Sequence, residues 1–210
     1  MFARAQIKAI AKQNFRNNYG ISVGAWLLAM LVVAVGSGIT FGLGAIFIAP
    51  PMQVGMAYFF LCIYRGQTPT LGTMFDSGFS NYWRSIGGIL LMELFVFLWS
   101  LLFIIPGIIK AYAYMMTPYL LADHPDIPAS EALQISSKIM HGHKMDLFIM
   151  HLSFLGWAIL GGITCGLTEI LYSAEYSAIS FAGAYEELKR DALATGRITP
   201  MDLERRPPAM

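Results

Sequence analysis

Five ionisable side chains, Glu93, Lys110, His151, Glu169 and Glu175, fall inside or at the edge of otherwise apolar runs. A charge in hydrocarbon costs on the order of 3 kcal/mol on insertion scales, so each of these residues needs a partner or a task. Glu93 sits about 10 Å into its run at 1.5 Å per residue. His151 is at a comparable depth in a run of the same direction, so depth permits a Glu93–His151 hydrogen bond. Lys110 is level with Glu175 and Glu169 near the opposite end and is placed to pair with one of them. Two chemistries fit this set: hydrogen-bonded glue between helices, at about 1 kcal/mol or less per contact, or a path for a polar substrate or a proton.

A second group combines His124, His141 and His143 with Asp123 and Asp126. A metal site needs three or four converging ligands. The His-Gly-His spacing at a helix end puts its two rings on different faces, where an i, i+4 pair would share one. We therefore expect no metal and no cofactor. The sequence has no G-x-S-x-G elbow, P-loop or H-E-x-x-H motif, and nothing in it argues for an enzyme.

The cations form a third group. Arg4, Lys8, Lys12 and Arg16 recur every four residues, so all four share one face of a helix over 3–19, with Ile7, Ile10 and Phe15 largely off that face. A basic amphipathic helix of this kind lies on an anionic membrane surface. Arg84 follows Trp83, an aromatic-basic pair suited to the headgroup level. Lys138 and Lys144 flank the His141-Gly142-His143 turn. These seven cations are expected to contact anionic lipid headgroups. No basic stripe with interleaved aromatics points to nucleic acid.

The elements that must position these groups follow from composition. The chain is 56% hydrophobic and 13% charged over 210 residues, where a soluble domain carries about a quarter charged residues. Its mean hydropathy is +0.57. No Asp, Glu, Lys or Arg occurs between Arg16 and Arg65, a gap that holds two crossings of about 20 residues. The full pattern reads as an all-α membrane bundle of six transmembrane helices, at about 20–39, 45–64, 86–104, 108–121, 147–166 and 170–185. Three amphipathic surface helices, at 3–19, 70–84 and 128–142, each precede a hairpin of two crossings. Residues 1–188 form one domain, and 189–210 are a short helical end leading into a loose polar tail.

The surface-to-crossing joins at Tyr19, Arg84 and Met145 are about 60–65 residues apart, a spacing that fits either a threefold repeat of surface helix plus hairpin or independent hairpins that obey the same bilayer constraint. Six crossings put both termini on one side together with every Lys and Arg except Lys110. The positive-inside rule makes that side cytoplasmic. Cys62 and Cys165 then lie near opposite faces and are not expected to pair. Gly20/Gly24, Gly38/Gly42 and Gly162/Gly166 are G-x-x-x-G pairs, a weak signal for helix association at this glycine content.

The stretches LWSLLFIIPGIIKAYAYMMTPYLLADHP and SSKIMHGHKMDLFIMHLSFLGWAILGGITCGL, with the N-terminal K-x-x-A-K and the Asn-Tyr-Gly that follows it, resemble a bacterial integral membrane family named domain of unknown function 975. The resemblance extends nearly to Leu188. It implies a multi-pass protein of the bacterial inner membrane and supplies no activity. Where that family shows a Pro-Tyr pair nine residues before its final Tyr, this chain has Glu175-Tyr176 before Tyr185, an acid in place of a helix break.

Three functions fit the sequence. The first is a non-catalytic membrane module that binds lipid or serves as an accessory subunit of another membrane protein. The second is a small transporter or channel using Glu93, His151, Lys110 and Glu175. The third is a membrane-embedded lipid-modifying enzyme with His141, His143 and Asp123 converging near headgroups.

Overall fold

Helix α1 (Arg4–Asn17) buries Ile7, Ala11 and Phe15, a stripe of period four, against the long C-terminal helix α11 (Ala174–Ala194). This and the following description come from a computed structural model, which describes residues 3–164 and 166–204. Cys165, Arg205 and Arg206 lie outside the described residues. All regular structure among the described residues is helical. Phe15 meets the rings of Tyr19 and Tyr172 edge-on at 5.3 and 5.4 Å, which fastens α1 to the bundle at its C-terminal end.

Helices α2 (Tyr19–Ile39) and α3 (Leu43–Tyr64) form a hairpin whose turn needs a left-handed residue, supplied by Gly42 at φ 93°. Four helical stretches are long and apolar enough to cross a membrane: α2, α3, α5 (Tyr82–Leu102) and Lys144–Ile163. In α3, 67% of the apolar stretch is buried, against 17–22% in the other three. Helix α3 is therefore the central post, and the other three present apolar faces outward. It continues through Pro50 and Pro51, both buried.

Helix α4 (Leu71–Phe79) starts at a capping box in which Thr70 and Thr73 satisfy each other's backbone N–H. It lies on α3 through two glycines. A Cβ on Gly55 would overlap the Met74 carbonyl oxygen, and one on Gly78 would overlap the Pro51 carbonyl oxygen. The expected surface helix over 70–84 is thus interrupted at Ser80-Asn81, and Tyr82-Trp83-Arg84 forms the first turn of α5. Met74 is fully buried, whereas Trp83 is 74% exposed.

The stretch expected as a crossing over 108–121 is two helices, α6 (Ile104–Tyr114) and α7 (Thr117–Asp123). The break is held from outside the segment. On α8 (Ala129–Ile139), the fully buried Ser136 donates its hydroxyl to the Ala113 carbonyl at 2.9 Å and accepts from the Met116 N–H at 3.2 Å. Buried backbone groups freed by a helix break need such partners. The expected apolar face of α8 is present, with Ala132, Leu133, Ile135, Ile139 and the following Met140 all buried.

The expected crossing 147–166 is likewise divided, into α9 (Lys144–Leu152) and α10 (Leu155–Ile163). Beyond Gly166, a π-helical turn over Glu169–Ser173 leads into α11. Helix α11 runs past the expected domain end at Leu188 to Ala194. The chain then folds back, with Ile198 buried and Arg197 donating to the His141 and Ile139 carbonyls. The short helical end expected there thus runs to Ala194, and the segment after it is anchored at Arg197 and Ile198 where a loose tail was expected.

Candidate functional site

Three groups of polar side chains stand out: a charged clasp, a set of cations around it, and two cavities further along the bundle. At the clasp, the ends of α3 and α7 meet the interior of α11. Arg65, just after α3, places Nη2 2.7 Å from Asp123 Oδ1 at the end of α7 and donates from Nε to Glu186 Oε1 of α11 at 2.7 Å. Lys189 and Tyr185 of α11 both donate to Asp123 Oδ2, at 2.6 and 3.0 Å. His124 Nε2 is 3.2 Å from the same oxygen. The Asp123 side chain is only 9% exposed. Burial pushes its carboxyl up, but the His124, Lys189 and Arg65 contacts outweigh this and hold it well below the usual carboxylate range. Burial would lower the Arg65 guanidinium, and Asp123 and Glu186 raise it instead.

The clasp uses Asp123 structurally, and His143 belongs to another network. Its Nδ1 is 3.2 Å from Asp146 and its Nε2 is 3.2 Å from Asp191, which also pairs with Arg197. An interfacial enzyme needs His141, His143 and Asp123 to converge; Asp123 sits in the clasp, and His143 pairs with Asp146 and Asp191. Among the described residues, no group of three or more His, Cys, Asp or Glu side chains is arranged to hold a metal ion.

The seven expected headgroup cations divide by environment. Lys12 and Arg16 are exposed along the outer face of α1, beside Tyr19 at the start of α2. Lys138 is half exposed and lies 3.7 Å from Asp202, and Lys144 opens α9. Arg4 is 3.9 Å from Asp146. Lys8 turns inward, donating to Ser153 Oγ at 2.9 Å and lying 4.5 Å from the Phe154 ring centre. Burial lowers the Lys8 ammonium from its usual value.

Arg84 departs most from expectation. Its Nε, Nη1 and Nη2 donate to the carbonyls of Ile127, Leu121 and His124 at 2.5, 2.8 and 2.7 Å. It thus caps the end of α7 and the loop to α8 rather than a lipid phosphate. Hydrogen bonds to a charged group are worth about 1.5–3 kcal/mol. Arg84→Gln is expected to lower stability by about 2 kcal/mol, with Arg84→Lys recovering little because one ammonium cannot span three carbonyls. Thermal melting in detergent micelles checks this, and two unchanged midpoints would contradict it.

The five intramembrane candidates do not form the pairs that depth allowed. Glu93 is exposed and lines a cleft of about 530 Å³ with Gln53, Ser100 and Pro118. His151 lines a separate groove of about 470 Å³ and shares a 3.2 Å hydrogen bond with the Tyr112 hydroxyl. Lys110 lies over the rings of Trp99 and Tyr114 at 5.0 and 5.5 Å, a cation–π arrangement in place of an ion pair with Glu175. Glu175 is fully buried, and neither carboxyl oxygen has a hydrogen-bond partner. Glu169 does enter the His151 groove, where Ser173 donates to it. Gln53, Ser173 and Ser177 were missed by the sequence reading. Their signal was a polar residue within an apolar run, the same one that marked the acids.

The fold and these sites define an all-helical protein with four helical stretches compatible with membrane crossing. Residues 101–192 match the family model described as Protein of unknown function (DUF975). The match begins at the end of α5 and takes in Asp123, the His-Gly-His turn and the groove. It is shorter than the nearly full-length resemblance read from the sequence. No curated protein and no solved structure matches the chain.

Proposed function

We propose that this chain is a non-catalytic, multi-pass membrane protein that binds anionic lipid at its charged end. One observation carries the reading: α1 is packed onto the bundle through the buried Ile7, Ala11 and Phe15, so Lys12 and Arg16 stay fixed outward beside the start of an apolar helix. On this reading the chain crosses six times and the crossings set the spacing of the threefold repeat. Both termini are cytoplasmic, in the bacterial inner membrane. Lys138 and Lys144 extend the same cationic surface, and a second membrane protein is a further partner class.

Each cation near an anionic surface is worth about 1 kcal/mol. Lys12→Gln with Arg16→Gln is therefore expected to weaken binding of phosphatidylglycerol, titrated into the chain in phosphatidylcholine nanodiscs, by roughly thirtyfold at low salt. Unchanged binding would sink the assignment.

A small transporter is the second reading. It is supported by the breaks at Met115-Met116 and Ser153-Phe154 and by the π-helical turn at Glu169–Ser173, all beside mainly apolar cavities that hold a few polar groups.

A further inference from the structure

The groove beside α9 and α10 carries a ligand chemistry distinct from that of the cationic end. Glu169, Ser173 and Ser177 line it along the π-helical turn and the start of α11, and the Tyr112–His151 pair lines its other end. Its walls include Phe148, Leu152 and Leu155, which are 44, 54 and 51% exposed. The groove therefore opens sideways, along the face that lipid chains cover in a membrane.

Among the described residues no Lys or Arg lines this groove, although it holds a carboxylate. Lys8, beyond Phe154, directs its ammonium to Ser153 and the Phe154 ring. A second carboxyl, Glu175, lies on the same helical stretch with no exposure and no hydrogen-bond partner. A carboxyl so buried and unpartnered is held neutral, which leaves Glu169 as the carboxylate of the groove, and an anion in an apolar surrounding needs a countercharge. The aromatic rings gather around His151 instead, with Phe181 at 4.3 Å and Tyr112 at 5.6 Å. Around Glu169 the lining offers hydroxyl and carboxylate oxygens. Such acceptors suit N–H donors, whereas a quaternary ammonium is recognised by an aromatic cage.

We propose that this groove binds a primary amine carried on a hydrocarbon body. Glu169 and the Ser173 and Ser177 hydroxyls hold the ammonium, and the hydrocarbon lies against Phe148, Leu155 and Ala158. The amine comes either from a lipid headgroup or from a free amphiphile.

The test uses the full chain in dioleoylphosphatidylcholine nanodiscs, a lipid without N–H donors. Dodecylamine, dodecanol and dodecyltrimethylammonium are compared by the shift each produces in the thermal midpoint. Dodecylamine should act at concentrations at least tenfold lower than the other two. Glu169→Gln should abolish that preference, and Glu93→Gln, in the separate cleft, should keep it. Equal action of the three compounds would overturn the proposal, as would a preference that survives Glu169→Gln. Ala158→Trp fills the groove and leaves the carboxylate in place. Should Glu169→Gln not fold, a preference surviving Ala158→Trp would overturn the proposal equally. Discs containing dioleoylphosphatidylethanolamine then assign the source. Competition with dodecylamine upholds the site with a lipid amine as its ligand, and no competition upholds it with a free amine.

Discussion

Asp123→Asn is expected to lower the stability of the folded chain by about 3 kcal/mol, the cost typical of removing one member of a buried charge network. The substitution keeps the side chain's size but leaves Arg65 and Lys189 facing a neutral amide where they now share a carboxylate. Three helices lose their common tether at once, since Arg65 follows α3, Asp123 ends α7 and Lys189 belongs to α11. For a chain of this size the midpoint of thermal unfolding should fall by roughly 6–12 °C.

Acid should have the same effect on the native protein. The Asp123 carboxyl is held below its unfolded value of about 3.9. Its contribution is therefore complete above that pH and is lost as pH falls below it towards the folded value. The native midpoint should begin to drop as pH falls through about 4 and keep falling below about pH 3, and the Asp123→Asn midpoint should drop less over the same interval. A variant that melts with the native chain at pH 7 would show that the clasp is not holding the helix ends.

The second large effect is steric. Gly55→Ala and Gly78→Ala each set a methyl group against a backbone carbonyl of the facing helix, so α4 must move away from α3. Overpacking of this kind costs about 3 kcal/mol where the obstacle cannot rotate aside. Both substitutions are relieved by the same displacement, so the double variant should lose less than the sum of the two. Gly20→Ala is the control, because nothing lies within 4 Å of a Cβ there. Thermal melting of all four variants checks this, and a Gly55→Ala midpoint equal to that of Gly20→Ala would contradict the close approach.

These glycines show where sequence reading ended. The G-x-x-x-G search selected Gly20, Gly24, Gly38, Gly42, Gly162 and Gly166, and a Cβ at any of them meets nothing within 4 Å. Gly55 and Gly78 work as a pair across two helices, which no single-helix spacing encodes. The apolar face of α8 was legible because Ala132, Leu133, Ile135 and Ile139 repeat with helical period. The division of 108–121 was not, because the hydroxyl that stabilises it comes from Ser136, outside the segment.

Depth counting placed Glu93 and His151 at one level but says nothing about rotation around the bundle, and they face separate cavities. The aromatic-basic pair Trp83-Arg84 suggested a headgroup contact for both residues. Trp83 does point outward, while Arg84 is captured by three carbonyls that lie 37–43 residues further along the chain. Charge placement along a sequence therefore indicates which end of a helix is polar. Whether a cation there meets lipid or protein depends on the orphan acceptors within its reach.

The central claim is that Lys12 and Arg16 present a lipid-binding surface on a fixed helix. Native mass spectrometry on the chain, released gently from membranes containing phosphatidylglycerol, tests it most directly. The expected spectrum shows one or more anionic lipids retained on the native chain and far fewer on the Lys12→Gln, Arg16→Gln variant. A native chain that emerges bare, or a variant that retains as much anionic lipid as the native chain, would contradict it.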